Sequence, residues 1–435
     1  MRGLTSTIVL LVILAGLGGY LYFGGAPNDT ADAKPKAFDV SPENIEEVII
    51  TTAEGGTVRA QRVDANWKVV EPEETPADAG EIASITSSLA SLDIQRVVDE
   101  QASNVAQYGL EPAKVDVAFR VKDSKEFRRL LVGERTPTGG DVYAKLPDEP
   151  RVFLISSYLE NIFNKTPFNL RDKKILAFDR DKADVVEIEG GTPMQFNRGG
   201  TEWRMTKPIS ARADYASIEG LVTQLATAQM QASIAKQADD LRQYGLDRPP
   251  MRVSVGSGSA RATLLVGTPS PEGAPYAKDS ARPEIFTIAQ SLITELSKPL
   301  DDYRRKDVFD FRSFNATRVE VTRDGATQTF VRNTADGKDV WKDDSGKTLE
   351  FTKVDALMGH LTGLRAQSFE GANAALKTPA LTVTATFDEG KRKESVTFGR
   401  SGTDVYASRS DEPGAAKLEA GTTFDDAIKA LDELK

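Results

Sequence analysis

The three tryptophans of this chain, Trp67, Trp203 and Trp341, stand 136 and 138 residues apart, and each ends a strand-like run. Thr57 to Val63 leads to the first, Met194 to Arg198 to the second and Gln328 to Arg332 to the third. Self-similarity at a fixed spacing restricts the fold to copies of one unit, and a unit of about 130 residues is large enough to enclose its own core. Counting forward, Pro72 and Pro208 follow their tryptophan by five residues, and Asp78, Asp214 and Thr352 follow by eleven. Each of the last three is a good helix N-cap, because a side-chain oxygen there accepts from the free N–H groups of the first turn.

The segments that follow have helical spacing. Ile82, Ile85, Leu89 and Leu92 share a face in the first copy, and Ile218, Leu221, Leu225 and Ala228 in the second. Val354, Leu357, Leu361 and Leu364 do so in the third, so one face of each helix is expected to pack on a sheet. Tyr108-Gly109-Leu110 and Tyr244-Gly245-Leu246 then begin 41 residues after their tryptophan, and each reads as a tight turn. The third copy is shorter here and keeps Leu376 and Pro379. Hairpins ending in glycine come next, at Phe127 to Gly133, Ala262 to Gly267 and Ser395 to Gly399, followed by strands with Tyr143, Tyr276 and Tyr406. The first two copies close with a short amphipathic helix and a charged stretch, Leu170-Arg171-Asp172-Lys173 and Tyr303-Arg304-Arg305-Lys306.

Ahead of the repeats, Leu4 to Phe23 carries no charge, and its 20 residues would form a helix of about 30 Å, the thickness of a bilayer's hydrocarbon core. A cleaved signal peptide has a shorter apolar region, so length favours a retained anchor, although Ala31-Asp32-Ala33 offers a small-residue cleavage site. Arg2 before the stretch and Asp29 and Asp32 after it place the N-terminus in the cytoplasm and the bulk of the chain outside. The expected class is therefore α+β: an N-terminal transmembrane helix, then three tandem repeats of an antiparallel-sheet-plus-helix module. The expected divisions are an anchor over 1–23, a linker over 24–37, and repeats over 38–174, 175–308 and a shortened 309–435.

The run of Trp67, Pro72, Tyr108-Gly109-Leu110, Leu131-Val132-Gly133 and Tyr143 resembles the bacterial family catalogued as a domain of unknown function, DUF4340. Trp203, Pro208, Tyr244-Gly245-Leu246, Leu265-Val266-Gly267 and Tyr276 repeat the pattern, while the third copy has Thr397-Phe398-Gly399 and lacks the Tyr-Gly-Leu. The resemblance implies a membrane-anchored envelope protein of the bacterial inner membrane, with its C-terminal bulk in the periplasm or outside. It also implies a protein partner, an ABC-type permease complex of the kind linked to gliding motility. It brings no catalytic residues with it.

Chemistry-bearing motifs are sparse. Without cysteine there is no disulfide, thiolate nucleophile or cysteine-held metal, and its absence fits an oxidising compartment. With 55 basic against 65 acidic side chains the net charge is −10, which repels nucleic acid. Gly346-Lys347-Thr348 has Trp341 where a phosphate loop needs glycine, and Gly256-Ser257-Gly258-Ser259 sits between two strands, so it reads as a hairpin turn. His360 is the single histidine and has no evident triad partner. The doublets Asp239-Asp240, Asp301-Asp302 and Asp343-Asp344 read as solvated loop charges, and the tryptophans as packing residues. No catalytic, cofactor-binding or metal-ligating residue is expected, and no enzyme. The leading expectation is a non-enzymatic, membrane-anchored extracytoplasmic scaffold or accessory subunit. The alternatives are an envelope glycan- or peptide-acting enzyme using carboxylates, and a polysaccharide-binding module.

Overall fold

A computed structural model describes residues 34–53, 55–335, 338–420 and 424–434. The chain divides into two compact units, one ending at Lys173 and the other beginning at Lys174. In the first unit the strands are β1 (Ile45–Thr52), β2 (Gly56–Val63), β3 (Asn66–Glu71), β4 (Thr75–Pro76) and β5 (Arg96–Asp99). They continue with β6 (Val115–Val121), β7 (Phe127–Arg135), β8 (Asp141–Lys145) and β9 (Val152–Ser156). Its helices are α1 (Ala79–Ala90), α2 (Tyr158–Phe163) and α3 (Pro167–Leu170). The strands form one antiparallel sheet in the order β4-β3-β2-β1-β6-β7-β8-β9-β5.

The second unit repeats this plan twice. Its first sheet holds β10 (Val185–Glu189), β11 (Met194–Gly199), β12 (Glu202–Lys207), β13 (Ala211–Arg212) and β14 (Ala232–Ala235). The rest of that sheet is β15 (Met251–Ser257), β16 (Ala260–Pro269), β17 (Pro275–Asp279) and β18 (Ile285–Thr287), with helices α4 (Tyr215–Thr227) and α5 (Gln290–Leu296). The other sheet holds β19 (Ala316–Arg323), β20 (Ala326–Ala335), β21 (Lys338–Lys342) and β22 (Ala366–Glu370). It is completed by β23 (Leu381–Phe387), β24 (Arg392–Ser401), β25 (Asp404–Arg409) and β26 (Ala415–Leu418), with helices α6 (Phe351–Thr362) and α7 (Phe424–Asp432). Strand order is the same in both as in the first sheet, less the shortest edge strand in the last.

This corrects the α+β expectation. Three antiparallel sheets of nine, nine and eight strands dominate, and helices are few. The closing helices are one to three turns long, whereas nearly every apolar run of period two becomes a strand. In β23, for example, Leu381, Val383, Ala385 and Phe387 are buried and the intervening threonines are half-exposed. The stretch Leu4 to Phe23, expected as a transmembrane helix, lies outside the described residues. Among those described, no helix is long and apolar enough to cross a membrane.

The helices bury the faces read from their spacing. Ile82, Ile85 and Leu89 of α1, Ile218, Leu221 and Leu225 of α4, and Val354, Leu357 and Leu361 of α6 are all almost fully buried. Each such side chain contributes about 1.5–3 kcal/mol relative to exposure. Asp78 caps α1 by accepting from the N–H groups of Gly80 and Glu81 at 2.9 and 3.1 Å, and Asp214 caps α4 through Ser217 N–H at 2.8 Å. The third cap differs from expectation: α6 starts after Glu350, whose side chain makes no capping bond, and Thr352 lies inside the helix. Its hydroxyl donates to the Glu350 carboxylate at 2.9 Å.

The glycine of each Leu-Val-Gly-type motif lies within a strand and does not end one, since β7, β16 and β24 run on to Arg135, Pro269 and Ser401. Its role is close approach. A Cβ added at Gly133, Gly267 or Gly399 would stand 2.2, 2.0 or 2.1 Å from the carbonyl oxygen of Tyr108, Tyr244 or Ala375, where a short 3-10 turn crosses the strand. Gly109 and Gly245 end the first two of these turns with φ of 67° and 68°. The turn then lays Tyr108 against Tyr143 and Tyr244 against Tyr276, with ring centroids 4.9 and 5.1 Å apart.

Candidate functional site

The second module ends in a segment that its own core holds down. Tyr303 is fully buried, its hydroxyl donates to the Glu295 carbonyl at 2.7 Å, and its own carbonyl accepts from Asp214 N–H at 2.8 Å. Burial, with Glu295 and Asp302 nearby, raises the phenol well above its ordinary value. Of the next residues Arg304 is also buried and Arg305 half-buried, and Arg212 of β13, itself buried, accepts from Arg305 N–H through its carbonyl at 3.0 Å.

These arginines meet the third module in a buried network of charge. Arg212 donates through Nε to Glu412 at 2.5 Å, through one terminal nitrogen to Asp310 at 2.7 Å and through the other to the Asp307 carbonyl at 2.9 Å. Arg304 reaches the other oxygen of Glu412 at 3.3 Å and lies 3.6 Å over the Phe369 ring. Arg305 adds a contact to Asp310 at 2.9 Å. Within the third module, Arg409 donates to Glu394 at 2.6 Å and to the Val308 carbonyl at 2.8 Å. Glu394 in turn accepts from the N–H groups of Asp310 and Phe311 at 3.0 and 2.8 Å. The side chains of Arg212, Asp310, Glu394, Arg409 and Glu412 are all no more than 7% exposed.

Burial by itself would push the Asp310 carboxyl up, but Arg212, Arg305 and Arg409 outweigh it and hold the group below the ordinary carboxylate range. Asp411 is likewise lowered: burial opposes ionisation and the hydrogen bonds from Arg409 overcome it. For Arg304 the balance goes the other way, with burial lowering the guanidinium and Glu412 only partly offsetting that. Desolvation costs several kcal/mol per ion, so such a network fixes one geometry more than it adds stability, while loss of one member leaves an unpaired buried charge. The arrangement therefore holds two modules in a fixed register.

Most of the other residues singled out in the sequence fall elsewhere. Trp203 and Trp341 are 2% and 1% exposed, and Trp203 donates to Glu219 at 2.8 Å. Trp67 is half-buried, with the Arg62 guanidinium 5.3 Å from its ring. Gly346-Lys347-Thr348 belongs to a turn in which Asp343 accepts from the N–H groups of Ser345 and Lys347. Gly258 makes the β15–β16 hairpin turn with φ of 55°. His360 is half-buried on α6. Asp240 pairs with Arg242, whereas Asp301 accepts from Phe369 N–H at 3.4 Å at the module junction. Phe311, next to Asp310, is fully buried in the third core. Among the described residues no three acidic or histidine side chains are placed to hold a metal.

Sequence reasoning noted Arg304 and Arg305 but does not reach Arg212, Asp310, Glu394, Arg409 or Glu412. One signal was available: Asp-Glu-Pro occurs at 148–150 and again at 411–413, at the same hairpin of two modules.

The fold and this junction define a class: tandem sheet modules of one topology, with buried charge joining the second copy to the third. The chain belongs to the family described as Domain of unknown function (DUF4340), whose model matches residues 67–202 and 203–380, and both matches start at a repeat tryptophan. No curated protein matches. Among solved structures, a DNA polymerase sliding clamp from Pseudomonas aeruginosa with ligand is 10% identical, covering 89% of this chain and 93% of that chain with a TM-score of 0.17. A griselimycin-bound clamp from the same organism is 8% identical over 89% and 94%, also with a TM-score of 0.17. Likeness at that level carries no argument about fold or function.

Proposed function

We propose that this chain is a non-enzymatic scaffold or accessory subunit of the cell envelope, presenting its modules to a protein partner. The observation behind this reading is the buried network of Arg212, Arg304, Asp310, Glu394, Arg409 and Glu412, which joins the second and third modules. A surface shared by two modules recognises a partner only if their relative position is fixed beforehand, because ordering them on binding would subtract from affinity. The carboxylates an envelope hydrolase would use are, at this junction, held in ion pairs with arginine. A polysaccharide platform needs exposed aromatic faces, whereas Trp203 and Trp341 are enclosed.

The kind of partner, an ABC-type permease complex, rests on the family resemblance, and the net charge of −10 disfavours nucleic acid. Affinity purification of the tagged full-length chain from native cells, with mass spectrometry, tests the reading. Co-recovery of an ABC-type permease or ATPase is expected, with reduced recovery for Arg212→Ala. Recovery of neither would sink the transport assignment.

A further inference from the structure

The second module contains a cleft of about 570 Å³. It lies between the β10–β11 hairpin tip, the start of β15, the end of β16 and helix α5. Met194, Met251, Val266, Ile293, Leu296 and Leu300 supply its apolar wall. We infer that this cleft takes the acyl chain of a lipid.

Comparison of equivalent positions shows why it is open. In the first module Arg135, at the end of β7, pairs with Glu160 of α2 at 2.5 Å. In the third, Arg400 pairs with Asp425 of α7, and Arg323 pairs with Asp432 at 3.1 Å. Strand register places Pro269 where Arg135 stands, and α5 places Ile293 where Glu160 stands. Neither can carry charge. The hairpin is also shorter: the pair Ile188–Met194 encloses five residues, 189–193, where Ile50–Val58 encloses seven, 51–57. In the first module the longer tip reaches Thr166, whose Cγ2 would lie 3.0 Å from a Cβ on Gly55. Pro299 takes the position of Thr166 in the second, where it is exposed.

The wall chemistry selects the occupant. Pro250, Pro269, Pro275 and Pro299 contribute no N–H donors, so a buried peptide backbone would find few partners for its polar groups. An aliphatic chain makes no such demand, and methionine side chains adapt to its shape. The volume exceeds the ~150 Å³ that accommodates benzene in an engineered cavity and lies within the range of small-molecule sites. Lys298, held by Glu295 at 2.5 Å, places a cation at the rim for a head group. The wall also continues into the module junction, because Leu300 is followed by Asp301, which accepts from Phe369 N–H of the third module.

The test is photolabelling of the full-length chain, in one arm with palmitate bearing a diazirine and in another with phosphatidylglycerol vesicles whose acyl chain carries it. Label is expected on peptides containing Met194, Met251 or Ile293. It should fall ~10-fold or more, about 1.4 kcal/mol in affinity, in the double variant Pro269→Arg with Ile293→Glu, which recreates the ion pair of the first module. Both positions lie at the surface or half-buried, so the core is left intact. Ile293→Arg alone serves if the double variant does not fold. Labelling from either lipid source supports the inference and identifies that source. Labelling elsewhere on the chain, or equally in the variants, overturns it.

Discussion

At the scale of single residues, glycine in this chain has two opposite uses. Gly267 lies where the 3-10 turn crosses β16, and a Cβ there would stand 2.0 Å from a backbone oxygen. Gly267→Ala is therefore expected to destabilise the second unit by about 1–3 kcal/mol, as overpacking does. Gly220, on the exposed side of α4, has open space around it and a helical backbone. Gly220→Ala should stabilise by about 0.4–1 kcal/mol through the unfolded chain. Urea midpoints of the two variants should move in opposite directions, and a shared direction would contradict the crossing-turn explanation. The repeated Leu-Val-Gly pattern was visible in the sequence, but its reason was not, because the carbonyl that excludes a side chain comes from 23 residues earlier, at Tyr244.

Among elements, the helix starts separate what spacing can and cannot tell. Asp78 and Asp214 cap their helices as their distance from the tryptophan suggests. Thr352, at the same distance, is inside α6 because the third module turns two residues sooner, with Leu349 N–H bonded to the Trp341 carbonyl at 2.8 Å. Asp78→Ala should cost about 0.5–2 kcal/mol, while Glu350→Ala, which removes no capping bond, should cost little. Thermal unfolding of the two variants side by side decides this. The strands were legible through period-two burial, but their great share of the fold was not. Short edge strands such as β4 and β13, two residues each, are created by pairing and carry no pattern of their own.

For the molecule as a whole, the junction of the second and third modules governs the response to pH and to substitution. The folded Asp310 carboxyl titrates below its unfolded value of ~3.9, so its contribution is fully present above that value and is lost as pH falls through the lowered folded value. Acidification from neutral pH to below ~4 should therefore loosen the junction, and Asp310→Asn should remove that part of the pH dependence. Arg409→Met leaves Glu394 buried without its cation and should cost about 3–5 kcal/mol. Hydrogen exchange at residues 308–311 is the direct readout. Protection that stays the same in acid and in Arg409→Met would show that the network does not hold the modules together.

Taken alone, the sequence determined the number of modules, their order, the helix faces and the turn glycines, because each depends on residues a few positions apart and on the periods of helix and strand. Tertiary structure alone decided the dominance of sheet, the joining of the second and third modules and the cleft of the second module. Arg212 and Glu412 are 200 positions apart, and no local pattern relates them. Pro269 and Ile293 of the cleft stand where the first module has the Arg135–Glu160 ion pair, a difference that shows only when the modules are compared in space.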